Sequence, residues 1–376
     1  MNPIINKTRI FFVLIAILSG CNGDDPARDT GSKDRTPMLI HWVDNIIVPG
    51  YNNFQTKMEV MVLKGDEFTE SPNQQSLTAF RQAWVDAYVE WQKVEMFEFG
   101  PADKYTLRNF FNIYPANVQA IHQNIVDPNA DLDVAAAYST QGFPALDYLI
   151  NGVAETDEGI IAFYSTASES GSRIQYLKQL TSRMETLLNN VVLEWSNYRE
   201  SFIGKTGLDL NSSTGIVVNA YVLYYERYIR SGKFGIPSGA LTTTGGTQYP
   251  DKVEAFYKKD ISLTLARTAH QAAIDFFNGE GVTTTEEGPS LKSYLDALEA
   301  KDGTTGTLLS QIINDQFAAV NNKLSQLSEN LHEQVSTNNN GVKDVFAEMQ
   351  KATRILKVDM TSAMSITITY TDNDGD

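Results

Sequence analysis

The chain has 376 residues, a formal net charge of −16, four histidines and a single cysteine. This acidic balance argues against a nucleic-acid partner, because contacts with phosphate groups need clustered Lys and Arg. One cysteine excludes an intramolecular disulfide framework. The length allows a large core and two domains, and the negative charge favours solubility and the attraction of cations.

The N-terminus carries the features of a bacterial export signal. A basic start precedes a short apolar run at residues 11–18, which is too short for a typical membrane span. The run ends in the sequence LSGC at residues 18–21, which resembles a lipobox, whose cysteine becomes the acylated first residue of the mature protein. We predict a signal peptide over residues 1–20 and a lipid anchor on Cys21. The alternative is an ordinary signal peptide with an incidental cysteine.

Residues 21–37 are polar and rich in aspartate, and they predict a flexible tether. Acidic residues directly behind the cysteine resemble the export signal of surface lipoproteins in Bacteroidetes-type bacteria. Because acyl chains supply the membrane affinity, the folded part can remain soluble. We therefore expect a lipid-anchored protein of the cell envelope, at the outer membrane.

Apolar residues recur at helical spacing along most of the chain. In the first half they predict helices over residues 38–63, 77–97, 117–124, 143–149 and 172–201. The stretch 203–213 has two glycines and no apolar stripe, and it predicts a linker between two halves.

Helical periodicity resumes after the linker, over residues 214–229, 253–277, 291–298, 308–331 and 342–358. The glycine-rich stretch 232–239 predicts a helix stop followed by a loop, and the alternating stretch 365–370 predicts an extended tail or a helix end. Long helices with short connections predict an all-α fold of two tandem four-helix bundles packed side by side, at residues 38–205 and 206–376.

Several stretches together resemble the imelysin-like family. They are FRQAWVDAYVEWQKVEMFEFGP at residues 80–101, QGFPALDYLI at 141–150, YERYIRSGKFGIPSGAL at 225–241 and TYTDNDGD at 369–376. The resemblance covers nearly the whole chain after the tether and implies two four-helix bundles. It also implies an envelope protein linked to bacterial iron uptake, in a family that has been labelled a metallopeptidase.

The family's signature, Gly-x-His-x-x-Glu, is altered at two positions of this chain. Gly142 matches the motif, Pro144 stands in place of the His, and Asp147 stands in place of the Glu. In the intact motif the His and Glu lie three residues apart on a helix, so both can point at one ion. Pro144 has no lone pair to donate, but proline is well tolerated in the first turn of a helix. We expect the helix to be retained and the nitrogen ligand to be lost.

The other candidate site residues lie on the second predicted helix. Glu95 follows Gln92 by three residues, so both share one face of that helix. We predict a binding pocket that contains these two residues together with Gly142, Pro144 and Asp147. Asp147 and Glu95 are the candidate metal ligands, because carboxylate oxygens suit iron or another divalent cation.

A structural role is the alternative for Glu95, because a buried carboxylate must be paired or hydrogen-bonded. Its candidate partners are Arg81, Arg227 and Lys233. The histidines lie far apart in the sequence, and a structural or solvated role is expected for each of them: His41, His122, His270 and His332.

No other catalytic signature compensates for the missing motif histidine, since the chain contains no His-Glu-x-x-His, Gly-x-Ser-x-Gly or phosphate loop. We expect a non-catalytic lipoprotein of an iron-uptake system that binds an iron-containing ligand or a protein partner. One alternative is a metal-dependent peptidase, which needs a water-activating metal and a general base. Another is a generic surface scaffold or adhesin.

Overall fold

The computed structural model describes residues 34–284 and 287–371. The predicted signal peptide, Cys21, most of the tether and residues 372–376 lie outside the described residues. Within them the fold is all-α, and β pairing is limited to two isolated bridges, Glu280 with Glu287 and Lys301 with Leu308. The all-α prediction is confirmed, whereas the division into two four-helix bundles stays a prediction.

The five helices predicted in the first half are present with shifted ends. The helices of this half are α1 (Thr36–His41), α2 (Val48–Glu70), α3 (Gln74–Val94), α4 (Pro101–Lys104), α5 (Leu107–Phe111), α6 (Val118–Val126), α7 (Gly142–Asp147), α8 (Asp157–Ser165) and α9 (Ser170–Gly204). Three of them, α4, α5 and α8, were not predicted. Shorter or wider helical turns connect or extend them at Trp42–Ile47, Glu95–Phe97, Ala135–Thr140 and Tyr148–Gly152.

The helices of the second half begin at Ser213, the last residue of the predicted linker. They are α10 (Ser213–Leu223), α11 (Ile236–Ser238), α12 (Ser262–Asn278), α13 (Leu291–Ala297), α14 (Leu309–Leu324), α15 (Leu331–Thr337), α16 (Asn340–Arg354) and α17 (Thr361–Ala363). Further helical turns lie at Tyr224–Gly235, Thr242–Thr244, Pro250–Lys252 and Ile355–Met360.

Helix α3 connects the two halves of the molecule. It starts at a reciprocal cap in which Asn73 and Ser76 bond each other's backbone N–H groups. The large side chains that recur along one of its faces are fully buried, and they are Phe80, Trp84, Tyr88 and Trp91. The helix contacts α2 of the first half and α12 of the second half. The aromatic stripe seen in the sequence therefore lies at the centre of the fold.

Three predicted helix boundaries in the second half are wrong. Residues 253–261 are not helical, since Ala255 and Lys259 have left-handed φ values of 55° and 65°, which interrupt the helical repeat. The chain remains helical through Gly232 to Ser238, and the helix ends at Gly239, where φ is 72°. Residues 308–331 form two helices, because α14 ends at Leu324 and α15 starts at Leu331.

No helix in residues 34–284 or 287–371 is both long enough and apolar enough to cross a membrane. The stretch after α17, whose sequence alternates, is not helical from Ile366 to Thr369.

Candidate functional site

Helix α7 begins at the one motif position that matches the family signature. Gly142 has a φ of 76°, a conformation that L side chains rarely adopt. A Cβ atom at this position would lie 2.3 Å from the carbonyl oxygen of Phe111 and 2.6 Å from that of Phe110. Glycine is therefore required here both for its backbone conformation and for the close approach of α7 to α5.

The residue after the glycine anchors α7 to α3. The ring of Phe143 stacks on that of Tyr88 with centroids 4.4 Å apart and an angle of 4° between the planes. The indole Nε1 of Trp84 donates to the carbonyl oxygen of Phe143 over 3.3 Å. These contacts fix the start of the motif helix, so the shape predicted from the sequence is present.

The carboxylate of Asp147 is buried and accepts three hydrogen bonds. Its side chain accepts from the backbone N–H of Tyr257 at 2.9 Å, from the backbone N–H of Lys258 at 2.9 Å and from Asn151 Nδ2 at 3.0 Å. Burial raises the pKa of Asp147 to about 7, and these three hydrogen bonds oppose the rise. Asp147 thus fastens the motif helix of the first half to the non-helical residues 253–260 of the second half, which we call the 253–260 segment.

Glu95 lies in a separate buried network. Its nearest cation is Arg108, with 4.0 Å between Nε and Oε1, and Asn112 Nδ2 donates to Oε1 over 3.3 Å. The hydroxyl of Tyr224 approaches Oε2 at 3.4 Å. Burial raises the pKa of Glu95 to about 7, while the charges of Lys233 and Arg108 oppose the rise.

Gln92 and Lys233 belong to the same network, but they bind Glu254. Lys233 Nζ contacts Glu254 Oε2 and donates to Gln92 Oε1 over 2.7 Å. The other oxygen of Glu254 accepts from Gln92 Nε2 at 3.0 Å, from Asn112 Nδ2 at 2.8 Å and from the Tyr88 hydroxyl at 3.0 Å. Neither the motif nor the apolar pattern predicts that these side chains meet Glu254.

The predicted pairing of Glu95 with Asp147 in one pocket is replaced by a different relation. The two carboxylates share no hydrogen-bond partner, but Asp147 binds the 253–260 segment directly and Glu95 shares the donor Asn112 with a residue of that segment. Glu254 of this segment belongs to the network that contains Glu95. The backbone N–H groups of Tyr257 and Lys258, a few residues further along the segment, donate to Asp147. The segment is therefore held from two sides by side chains of the first half.

The buried network of Glu95 agrees with the structural alternative, and of the three predicted partners Lys233 lies in this network, where its charge lowers the pKa of Glu95. The other two predicted partners bind elsewhere. Arg81 donates to Asp157 and to the carbonyl oxygen of Ile150, and Arg227 donates to the carbonyl oxygen of Thr371. Arg108, the cation nearest to Glu95, was missed. So was Glu254, which is a lone carboxylate inside the run VEAFY at residues 253–257, as Asp147 is inside QGFPALDYLI at residues 141–150.

A cavity of about 240 Å³ lies beside Asp147 between the two halves of the chain. We call it the Asp147 cleft. Its walls come from the loop after α5, from α7 and from the 253–260 segment with the turn before it. The lining residues are Tyr114, Pro115, Ala116, Pro144, Asp147, Asp251, Val253, Ala255, Phe256 and Tyr257. Pro144 thus lines a cleft at the position where the family motif has its histidine.

The histidines make structural contacts, as expected from their separation in the sequence. His41 Nε2 lies 2.8 Å from the carbonyl oxygen of Gly279, and His332 Nδ1 lies 2.9 Å from that of Pro250. His122 Nε2 lies 2.7 Å from the Tyr148 hydroxyl. His270 is buried against Phe317, and this burial lowers its pKa to about 4.

The raised pKa of Glu95 predicts a pH-dependent stability. Because its folded-state pKa of about 7 exceeds the ordinary value of 4.5, protonated Glu95 contributes stability below pH 4.5 that is lost as the pH rises through 7. Glu95→Gln, which has no such titration, should lose less unfolding free energy between these pH values than the wild type, by up to roughly 3 kcal/mol. Urea unfolding at a series of pH values measures this difference. Equal pH slopes for the two proteins would contradict the prediction.

Comparison with known proteins identifies the family. The family described as imelysin (Peptidase M75) matches residues 47–357. The chain belongs to the imelysin family. This match includes the altered motif, α3 and the 253–260 segment, so each residue of the network and of the Asp147 cleft falls within the family region.

Relatives of known sequence or structure agree with this assignment. Iron-regulated protein A of Synechococcus elongatus is 22% identical over 299 residues, which cover 77% of this chain and 74% of that protein. An imelysin-like protein of Psychrobacter arcticum has the same fold, with a TM-score of 0.67, 16% identity and coverage of 89% of this chain and 97% of that chain. A putative iron-regulated protein A precursor of Parabacteroides distasonis gives a TM-score of 0.66, 17% identity and coverage of 90% and 97%.

The peptidase label of the imelysin family implies a metal, and the residues at the motif do not fit one. Pro144 offers no lone pair, and the two oxygens of Asp147 already accept three N–H donors. Within residues 34–284 and 287–371 no three His, Cys, Asp or Glu side chains are grouped so that they could hold a metal ion. Stable sites need several ligands of suitable geometry. The geometry gives no support to Asp147 and Glu95 as ligands of one shared ion.

Proposed function

We propose that this imelysin-family chain is a lipid-anchored, non-catalytic component of bacterial iron uptake, and that it binds its partner or ligand in the Asp147 cleft. The names of two relatives, an iron-regulated protein A and a putative precursor of one, support the link to iron. The cleft between the two halves supports a binding role, because ligand sites occur preferentially in such concave positions.

One observation carries the non-catalytic part of the proposal. The motif carboxylate is engaged by the backbone N–H groups of Tyr257 and Lys258, and proline replaces the motif histidine. A metallopeptidase needs a metal that activates water and a base that accepts its proton. The carboxylate of Asp147 has a structural role, because it holds the 253–260 segment in place. We therefore assign binding, and not hydrolysis, to this site.

The proposal also takes the halves on either side of residues 203–213 as two helical bundles. In the first half α2 contacts both α3 and α9, and in the second half α14 and α16 contact each other. Binding at the boundary of two such units would let the ligand contact both. Two units that unfold in separate transitions after cleavage of an engineered protease site in residues 205–212 would support this division, and one inseparable transition would oppose it.

A growth experiment tests the function. We expect a deletion strain to grow more slowly than the parent when iron is chelated, and to recover with the wild-type gene or with added ferric iron. A cleft-filling Ala116→Phe variant should fail to restore growth, whereas Asp315→Asn, on an exposed part of α14, should restore it. Equal growth of the deletion strain and the parent over all iron levels would reject the link to iron uptake and favour a general surface scaffold.

The anchor is tested by replacing the predicted acylation site. Cys21→Ala removes the only thiol of the chain, so the variant should lose membrane association and appear in the soluble fraction. Fractionation with immunodetection measures this, and metabolic labelling with a fatty acid should mark the wild type alone. A variant that still partitions fully with membranes would show that the lipid-anchor prediction is wrong.

A further inference from the structure

The Asp147 cleft has the chemistry of a receptor for one positively charged side chain. Its lining includes the rings of Tyr114, Phe256 and Tyr257, and the carboxylates of Asp147 and Asp251. Aromatic rings and carboxylates both attract cations, the rings through the negative charge of their faces. Among the described residues that line the cleft, none is Lys, Arg or His.

The carboxylate of Asp251 is the group in this cleft that remains open to a ligand. It is exposed, and it makes no hydrogen bond or ion pair with any residue in the described part of the chain. Asp147 is in the opposite situation, because its oxygens accept three N–H donors. Asp147 therefore builds the wall of the cleft, while Asp251 can form a direct ion pair with a ligand.

The basic side chains near the cleft do not neutralise Asp251. Lys258 Nζ pairs with Asp260 at 2.6 Å, and Lys252 Nζ lies 4.3 Å from the centroid of the Tyr249 ring. Neither residue lines the cavity. The contact of the Lys252 ammonium with the Tyr249 ring, next to the cleft, is a cation–π contact. The aromatic walls of the cleft can make the same kind of contact with a ligand.

The size of the cleft limits its occupant. Its volume of about 240 Å³ lies below the roughly 300–1,000 Å³ of pockets that enclose a drug-sized molecule. One long side chain fits such a space, whereas a bulky ferric chelate does not. The acidic lining and the net charge of −16 also oppose anionic ligands, a class that includes carboxylate and catecholate complexes of iron.

We propose that the Asp147 cleft receives an arginine side chain of a partner protein. A guanidinium group is planar, can stack on aromatic rings and can form a two-fold ion pair with a carboxylate such as Asp251. This inference rests on the proposed binding role in iron uptake and specifies its partner: the chain engages a protein through the cleft.

Small probes test the cleft directly. The full chain in non-ionic detergent is titrated with N-acetyl-arginine amide and followed by ligand-observed NMR, and we expect a Kd of about 1 mM or tighter. The neutral citrulline analogue and citrate should not bind measurably, and putrescine should bind more weakly than the arginine probe. Asp251→Asn should weaken binding about five-fold, the factor that corresponds to about 1 kcal/mol.

Two further variants locate the site. Ala116→Phe should abolish binding by filling the cleft, and Asp315→Asn, which removes an exposed carboxylate of α14, should leave the Kd unchanged. If the Ala116→Phe variant fails to fold, the Asp251→Asn variant still tests the proposal, because Asp251 is exposed and its substitution does not disturb the core. The proposal is overturned by equal binding of the citrulline analogue, by tighter binding of citrate or putrescine, by an unaffected Asp251→Asn variant, or by no binding of the arginine probe. None of these results touches the iron-limited growth of the deletion strain, so failure of this inference and failure of the proposed function are distinguishable.

Discussion

Lys233→Met is expected to lower the free energy of unfolding by about 3–5 kcal/mol, the loss that follows when a buried ion pair is left with one charge. Lys233 and Glu254 are 3% and 2% exposed, so water cannot replace the missing ammonium group. Glu254 would keep the donors Tyr88, Gln92 and Asn112 but would lose its only direct cation among the described residues. Chemical denaturation followed by far-UV circular dichroism measures the change.

A double variant and a surface pair provide the controls. Adding Glu254→Gln to Lys233→Met removes the unpaired charge, so the double variant should be more stable than the sum of the single losses predicts. Lys323 pairs with Asp344 on the surface at 3.1 Å, with side chains 36% and 58% exposed, and Lys323→Met should cost less than about 1 kcal/mol. Similar losses at Lys233 and Lys323 would contradict the structural importance of the buried network.

Asp147→Ala is expected to cost about 2–4 kcal/mol of unfolding free energy and to loosen the 253–260 segment. The substitution removes the acceptor for two backbone N–H groups, and each partly buried donor without a partner costs about 1–3 kcal/mol. The same two groups should exchange their hydrogens faster. Trypsin should also cleave after Lys258 or Lys259 more rapidly than in the wild type.

Asp315→Ala is the matched control for Asp147→Ala, since it removes an exposed aspartate from α14. It should change neither stability nor hydrogen exchange in the 253–260 segment. An Asp147→Ala variant with wild-type stability and unchanged exchange at Tyr257 and Lys258 would contradict the role of Asp147 as the residue that holds this segment.

The helices that the sequence predicted well are those whose formation depends on local signals. Around α3, the recurrence of large apolar residues from Phe80 to Trp91 matches a buried helical face, and Gly100 and Pro101 mark the break that follows. The helix predicted over residues 143–149 begins at Gly142, whose φ of 76° and close approach to the carbonyl of Phe111 require glycine.

The prediction failed where distant contacts determine the backbone. Residues 253–261 have an apolar pattern that extends the periodicity of α12, yet the side chain of Glu254 is drawn into the network of α3 and the amides of Tyr257 and Lys258 bind Asp147. These contacts join residues more than 100 positions apart, and local spacing carries no information about them. The same limit explains why the sequence did not predict Arg108, which lies beside Glu95.

The continued helix after Gly232 has a different cause. Glycine predicts a helix stop because it favours left-handed backbone conformations, but Gly235 is helical and serves packing. A Cβ atom there would lie 2.7 Å from the ring of Phe346 on α16. Glycine is found both at helix ends and where two helices approach closely. The sequence alone does not distinguish these two roles, and the fold does.

Calorimetric titration of zinc into the full chain tests most directly whether the altered motif has kept its architecture and lost its metal chemistry. With Pro144 in place of a ligand and Asp147 engaged by three N–H donors, we expect no binding tighter than about 1 μM, a level that corresponds to about 8 kcal/mol. Zinc binding tighter than this in the wild type that is lost in Asp147→Asn would contradict the account and would make Asp147 a metal ligand.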